Sequence, residues 1–274
     1  MRNLISPFLC ILFCYGLTFA QSDNSESFDK LVWSDEFNGE GLLDTTKWFH
    51  QTQLPSWGSW FEDLINHYTD EERNAYQEDG FLNLVAIKET YEDQGYMKGY
   101  TSVRLNSKFA FTYGRVEVRA KLPTGVGTWS AIWMLNTNIT EAGAYWETKG
   151  YGTTGWPHCG EIDILEHWGK KQDYVSSAVH NGSSYGGQVE NLGGREVQGA
   201  SDDFHIYTLE WTNEKMVFAI DGQVHYTYEP KERNKKTWPY DMNYYFIFNI
   251  AILPEIDPAF SESAMVVDYI RVYQ

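Results

Sequence analysis

The chain has 274 residues, a formal net charge of −17 at neutral pH and an aromatic content of 16%. A charge this negative argues against nucleic acid and anionic membrane surfaces as partners, and it favours a neutral or cationic partner. No stretch after the first twenty residues is long and apolar enough to predict a membrane span.

The first twenty residues have the pattern of a secretory signal. Arg2 gives a positive start, the following residues are mostly apolar, and Ala20 ends a small-residue cleavage site. The pattern predicts removal of residues 1–20 and a secreted protein, either extracellular or periplasmic. Two of the three cysteines lie in this segment. The remaining Cys159 cannot form an internal disulfide, so a packed core must stabilise the fold.

The rest of the chain is interpreted as a loose leader, residues 21–30, and one catalytic domain, residues 31–274. Within this domain, short runs of alternating apolar and polar residues dominate, separated by turn residues. This spacing predicts an all-β sandwich or jelly roll rather than βαβ units. The runs cover residues 30–37, 81–89, 100–107, 114–122, 129–135, 161–167, 174–181, 205–212, 215–229, 244–252 and 264–273.

Three other segments carry local signals. Asp221-Gly222 between two alternating runs predicts a tight hairpin. Residues 44–48 and 70–73 are the only helix-like candidates, each of one or two turns. Residues 136–159 are rich in Gly, Thr and Trp without a clear period, and are predicted to form a long surface loop, which is often a functional feature.

The run GEIDILEHWG, residues 160–169, places three carboxylates within six residues. In a regular strand, Glu161 and Asp163 share one face while Glu166 points to the other. A β-bulge at Ile164–Leu165 would return Glu166 to the face of Glu161. The two Glu carboxyl groups could then approach to about 5–6 Å, near the ~5–5.5 Å separation of retaining glycosidases and below the ~6.5–9.5 Å of inverting ones.

The surroundings of these acids favour a sugar-cleaving groove. Asp163 is shorter than its neighbours and could hold one of them in place, and crowding should raise at least one carboxyl pKa. Aromatic rings that could stack on sugars accompany the run: Trp156 and Trp168 flank it, and Trp129 and Trp133 share the face of another predicted strand. A solvated acidic surface or a cation site is the alternative interpretation, but residues 158–167 match no zinc spacing.

Together with this run, several further segments resemble glycoside hydrolase family 16, in its laminarinase (endo-β-1,3-glucanase) branch. They are WSDEFNG near the start, residues 100–135, HIYTLEWT with FAIDGQVHY, and the closing VVDYIRVYQ. The resemblance covers nearly the whole of residues 31–274. It implies a concanavalin-like β-jelly roll with a substrate groove on its concave sheet.

The resemblance also implies roles for individual residues. Glu161 would be the nucleophile, Asp163 its assisting partner and Glu166 the acid/base, with no cofactor for catalysis. Four residues would line the groove for substrate: Trp129, Trp133, His180 and Arg104. His180 could contact the sugar or Glu166, and the alternative is a structural loop histidine.

A structural Ca²⁺ is a further implication of the resemblance. Its ligands would be the Asp268 carboxylate and the backbone oxygens of Glu36 and Gly80, which are donors that suit Ca²⁺. The alternative is that Asp268 is a surface acid.

The sequence therefore predicts a secreted, monomeric, retaining endo-hydrolase of β-1,3-glucan. The alternatives are a mixed-linkage β-1,3-1,4-glucanase, more distantly a galactan hydrolase, and a noncatalytic glucan-binding lectin of the same fold. The chain departs from the family pattern at residues 61–70 and 248–260, and its 141–159 loop is longer than usual. These positions would form groove walls, so they bear on the linkage that is cleaved.

Overall fold

The computed structural model describes residues 28–274. The predicted signal, residues 1–20, and most of the predicted leader lie outside the described residues. The described part contains seventeen strands: β1 Leu31–Asp35, β2 Trp48–His50, β3 Asn66–Tyr68, β4 Ala75–Glu78, β5 Phe81–Asp93, β6 Tyr96–Ser102, β7 Arg104–Phe111, β8 Gly114–Lys121, β9 Thr128–Asn136, β10 Glu161–Trp168, β11 Tyr174–His180, β12 Leu192–Glu196, β13 His205–Trp211, β14 Met216–Ile220, β15 Gln223–Tyr228, β16 Tyr244–Ile252 and β17 Glu262–Tyr273.

The strands form two sheets. The ten-stranded sheet has the order β15-β14-β13-β8-β17-β5-β6-β3, with β1 also paired to β17 and β4 to β5. The seven-stranded sheet has the order β12-β11-β10-β9-β16-β7-β2. All pairs are antiparallel except β3 with β6. The predicted all-β sandwich is confirmed.

Every predicted run forms strand, with one correction. The run 100–107 was predicted as one strand, but it contains the end of β6 and the start of β7, which belong to different sheets. The chain crosses between the sheets at the fully buried Val103. The Asp221-Gly222 hairpin is confirmed, with φ of 50° and 72° at the two turn residues.

Apolar side chains from both sheets fill the space between them. On the seven-stranded side, alternate residues of β9 such as Ile132 and Met134 face this core, and on the ten-stranded side Val116 and Val118 of β8 do the same. The other residues of β9 point to the opposite face of the sheet, away from the core, where they can form a site. Cys159 is a free thiol and the described residues contain no disulfide, so the burial of this large core is the main stabilising contribution.

Helical structure is short. The helices are α1 Tyr145–Thr148 and the 3₁₀ turns Phe61–Asp63, Glu72–Asn74, Gly169–Lys171 and Gly186–Gln188. The prediction that residues 136–159 form a surface loop was wrong in part. The segment contains α1 and an Ile139–Thr154 bridge, and it buries Ile139, Ala144 and Cys159. These three apolar residues anchor the segment in the core. They do not recur with a helical or strand period, so no periodic pattern indicated that the segment would be partly buried. None of the helices in residues 28–274 has the length and apolar character needed to cross a membrane.

Candidate active site

The β10 strand contains the predicted bulge. Against β9, Asp163 pairs with Trp133 while Leu165 pairs with Ile132, so Ile164 is the extra residue. Ile164 and Leu165 are consecutive, yet both pack into the core. Glu166 is thereby returned to the side of Glu161 and Asp163, and all three acids line one cleft. The bulge that the sequence predicted at this point is confirmed.

Glycines bound the strand that carries the acids. Gly160 has a φ of +79°, and a side chain there would collide with the Tyr244 hydroxyl. A side chain at Gly169 would collide with the carbonyl oxygen of Gly125. Only glycine fits both positions without a shift of the backbone, so the ends of β10 are fixed closely against their neighbours.

The cleft has a volume of about 990 Å³ and lies on the outer face of the seven-stranded sheet. All six residues that the sequence assigned to substrate binding line it: Arg104, Trp129, Trp133, Trp156, Trp168 and His180. Aromatic rings on the walls and acids on the floor suit a ligand with apolar ring faces and polar edges.

Two tryptophans hold the two glutamates. The indole Nε1 of Trp156 donates to Glu161 Oε2 at 3.0 Å, and that of Trp129 donates to Glu166 Oε1 at 3.0 Å. Trp129 also stacks on Trp168, its register partner across β9 and β10, at 5.5 Å between ring centroids. Each glutamate therefore has a fixed donor that orients its carboxyl group.

His180 lies opposite Glu161 at the end of β11, so it is a strand residue rather than a loop histidine. Its Nδ1 accepts a hydrogen bond from the Gly186 N–H, which leaves the Nε2 as the protonated nitrogen. Nε2 lies 3.2 Å from Asp163 Oδ2 and 3.5 Å from Glu161 Oε1. His180 thus contacts the first two acids, whereas the sequence predicted a contact with the sugar or with Glu166.

Burial dominates the electrostatics of the acids. It raises the pKa of Glu166 to about 8, with a further contribution from the charge of Asp163. It also raises the pKa of Asp163 and, together with the Asp163 charge, that of Glu161, well above their ordinary values. His180 and an indole act in the opposite direction on both glutamates, with Trp156 as the indole for Glu161 and Trp129 for Glu166. The raised pKa keeps Glu166 protonated near neutral pH. Of the two glutamates, Glu161 is the one paired with His180, whose Nε2 lies 3.5 Å from its Oε1.

Arg104 reaches the cleft but is already engaged. Its guanidinium lies over Trp60 and Trp133, at 5.1 and 4.8 Å from the ring centroids, and it makes two 3.0 Å hydrogen bonds to Glu141. Trp133 in turn donates to Asn249 at 2.6 Å. Arg104 therefore fixes the cleft wall and the ring of Trp133.

The cleft also contains residues to which the sequence gave no role, among them Trp60, Phe61, Glu141 and Asn249. Phe61 is exposed, and its ring centroid lies 6.5 Å from that of Trp129 and 6.3 Å from that of Trp156. The signal available for Trp60 and Phe61 was the run PSWGSWFED, in which aromatics occur among loop residues. Glu141 and Asn249 lie in segments that were expected to form groove walls, but no local pattern singled out either residue.

The residues expected to bind calcium lie together on the ten-stranded sheet. β17 pairs with β8 on one side and, on the other, with β5 up to Val267 and with β1 from Ile270, so Asp268 lies near the chain after β1 and the turn before β5. Asp268 falls in a register shift of β17, and its carboxylate pairs with Arg119. The Glu36 side chain pairs with Arg271 at 2.7 Å, which leaves its backbone oxygen for other contacts.

The other group with ligand-type side chains in the described residues is Glu161, Asp163 and His180, whose donor atoms lie within 4.8 Å of one another. A strand bulge, two oriented glutamates with unequal surroundings and an aromatic cleft define a carbohydrate-cleaving enzyme. This class needs no cofactor for catalysis, because its carboxylates supply both the acid and the nucleophile.

The chain belongs to glycosyl hydrolases family 16, whose family model matches residues 64–271. A β-glucanase from Rhodothermus marinus is 36% identical over 296 residues, which cover all of this chain and 95% of that protein. A LamA structure from Z. galactanivorans, in complex with laminaritriose and laminaritetraose, has a TM-score of 0.83 and 40% identity, over 90% of this chain and all of that one. A laminarinase structure from Flavobacterium sp. UMI-01 has a TM-score of 0.76 and 37% identity, over 89% of this chain and all of that one.

Proposed function

We propose that this protein is an endo-β-1,3-glucanase that hydrolyses laminarin-type glucan with retention of configuration. The observation that carries the proposal is the β10 bulge, which brings Glu166 into the cleft of Glu161 while Trp129 and Trp156 orient the two carboxyl groups. The cleft is lined along its length by aromatic residues, which suits binding of an internal stretch of a polysaccharide.

In the proposed mechanism, ionised Glu161 attacks the anomeric carbon as protonated Glu166 gives its proton to the departing glycosidic oxygen. A covalent glycosyl-enzyme results. Glu166, now ionised, removes a proton from water, which attacks the same carbon and releases Glu161. Asp163 would accept a hydrogen bond from His180 Nε2, at 3.2 Å, and hold that histidine beside Glu161. A Glu166 pKa of about 8 suits this acid and base role near neutral pH.

The substrate class is supported by the similar proteins and by the charge of the chain. The Z. galactanivorans structure contains laminaritriose and laminaritetraose, and two of the similar proteins are described as a β-glucanase and a laminarinase. A net charge of −17 suits a neutral glucan better than a sulfated galactan.

A panel of polysaccharides tests this proposal. We expect reducing-sugar release to be fastest on laminarin, slower on lichenan and absent on agarose and carrageenan, with a mixture of short oligosaccharides as products. Proton NMR of the first products should show β anomers. Faster release from lichenan would favour the mixed-linkage alternative, and binding without release from any polymer would favour the lectin.

We also propose a structural Ca²⁺ held by the Asp268 carboxylate with the backbone oxygens of Glu36 and Gly80. The strand order that brings these segments together supports it, although the ion would have to draw Asp268 away from Arg119. Such an ion would bind far from the acids and stabilise the folded state only.

For this site, we expect added Ca²⁺ to raise the melting temperature by about 2–4 °C or more, relative to chelator, since 1 kcal/mol has about this effect on a chain of this size. Asp268→Asn should abolish the rise, while Asp202→Asn, at an exposed position elsewhere, should retain it. Differential scanning calorimetry with and without Ca²⁺ measures both. An equal rise in the two variants would contradict the assignment.

We further propose that the protein acts as a monomer and is exported, with residues 1–20 removed. The residue pattern at the N-terminus supports export. N-terminal sequencing of protein recovered from outside the cytoplasm should begin at Gln21, and a retained Met1 would contradict cleavage.

A further inference from the structure

The bulge in β10 is held from its core side by a side chain of the next strand. Ser177 of β11 stands opposite Ile164 and Leu165, one residue facing two. Its Oγ donates to the carbonyl oxygen of Ile164 at 2.7 Å. Ser177 is fully buried, and its neighbours on the same face, Val175 and Val179, belong to the core. The contact therefore lies behind the sheet, away from the cleft.

A histidine of the other sheet completes this contact. His225 of β15 places its Nε2 2.9 Å from Ser177 Oγ. The hydroxyl has one hydrogen and a carbonyl can only accept, so Ser177 donates to Ile164 and His225 Nε2 donates to Ser177. Burial lowers the pKa of His225 to about 4, which keeps the ring neutral at ordinary pH.

We propose that Ser177, supported by His225, is a positioning residue for the acid/base Glu166. Glu166 follows Ile164 by two residues, and its orientation depends on where the bulge lies. A regular ladder cannot satisfy the Ile164 carbonyl, because the bulge interrupts the pairing there. Without the Ser177 hydroxyl this buried oxygen loses its side-chain donor, so the bulge can shift along the strand and take Glu166 with it.

The inference rests on the proposed function, because it concerns proton donation by Glu166. The inference predicts that activity is lost on substrates that need a proton donor and kept on those that do not. Cleavage of an unactivated glucan needs a proton on the leaving oxygen, whereas a 2,4-dinitrophenolate leaves without one. A misplaced Glu166 should therefore slow the first reaction and spare the second, when both are compared by kcat/KM, which ends at formation of the glycosyl-enzyme.

The test compares Ser177→Ala with wild type on laminarin and on 2,4-dinitrophenyl β-laminaribioside. We expect kcat/KM on laminarin to fall by about 10- to 100-fold, because a displacement of about 1 Å has effects of this size. On the aryl glycoside it should stay within about threefold of wild type, because no proton is needed. Ser177→Thr, which keeps the hydroxyl, should restore most of the laminarin activity.

Three further variants make the test independent of folding. Ser130 of β9 is equally buried, shares the core-facing side of Ile132, and its hydroxyl has no partner among the described residues. Ser130→Ala should therefore leave both rates unchanged. His225→Leu should repeat the selective loss in weaker form, and His225→Gln, which retains a donor, should reverse it.

The outcomes separate this inference from the proposed function. An equal loss on both substrates would reduce Ser177 to a structural role and overturn the inference, as would full laminarin activity in Ser177→Ala. A wild type that cleaves the aryl glycoside but no polysaccharide of the panel would instead contradict the proposed function.

Discussion

Replacing Glu161 by serine is expected to lower kcat on laminarin by about 10⁴-fold or more, the scale of loss when an enzyme nucleophile is removed. The variant loses the only carboxylate that both His180 and the Trp156 indole support. Serine is too short to reach the anomeric carbon from the same backbone position. Binding of laminari-oligosaccharides should persist, because the aromatic walls of the cleft are unchanged.

Reducing-sugar release and calorimetric titration with an oligosaccharide measure the two halves of this prediction. Glu214→Ser, at an exposed turn between β13 and β14, is the control for handling and folding, and it should keep full activity. Turnover by Glu161→Ser within about tenfold of wild type would remove Glu161 from the role of nucleophile.

Replacing Glu166 by glutamine is expected to lower kcat/KM on laminarin by about 10²- to 10⁴-fold, the usual contribution of a general acid or base. The wild type should lose activity as the pH rises through about 8, because Glu166 then gives up its proton. The variant carries no titrating group at this position, so the alkaline fall in its residual activity should disappear. A pH–rate profile of both proteins tests this.

The same substitution should also raise the melting temperature by an amount that depends on pH. The pKa of Glu166 is higher in the folded state than in the unfolded chain, where it is about 4.3, so its contribution to stability is intact at low pH and is lost as the pH rises from there to about 8. Glu166→Gln avoids that loss. Its melting temperature should therefore exceed that of wild type at about pH 9 and match it at about pH 4. A constant difference across this range would contradict the raised pKa.

The strands and the acids were predictable because their signals are local. Alternation fixes which residues of a strand face the core, and the adjacent apolar residues Ile164 and Leu165 marked the place where alternation must break. The residues that contact the acids were harder to predict from the sequence. His180 reaches Asp163 and Glu161 only because β11 pairs with β10 in a particular register, and the sequence alone does not give this register.

The cleft walls were the least predictable part. Glu141 meets Arg104 across 37 positions, and Asn249 meets Trp133 across 116. Contacts at such separations follow from the packing of whole sheets and leave no local pattern. The segment 136–159 was misjudged for the same reason, since Ile139 and Cys159 are anchored against β16 residues such as Tyr245 and Ile247.

Ile164 contributes one position more than simple alternation would need. Because the side-chain period of a strand is two, a chain lacking this single residue would carry its three acids at every second place, all directed toward the substrate. Two different lengths of this strand can therefore present the same chemistry. Against β9 the three acids already stand two steps apart, opposite Leu135, Trp133 and Ala131. A one-residue deletion here would therefore keep both outer carboxyl groups in the cleft at nearly the same spacing, so a single genetic step can remove the irregularity without removing the site.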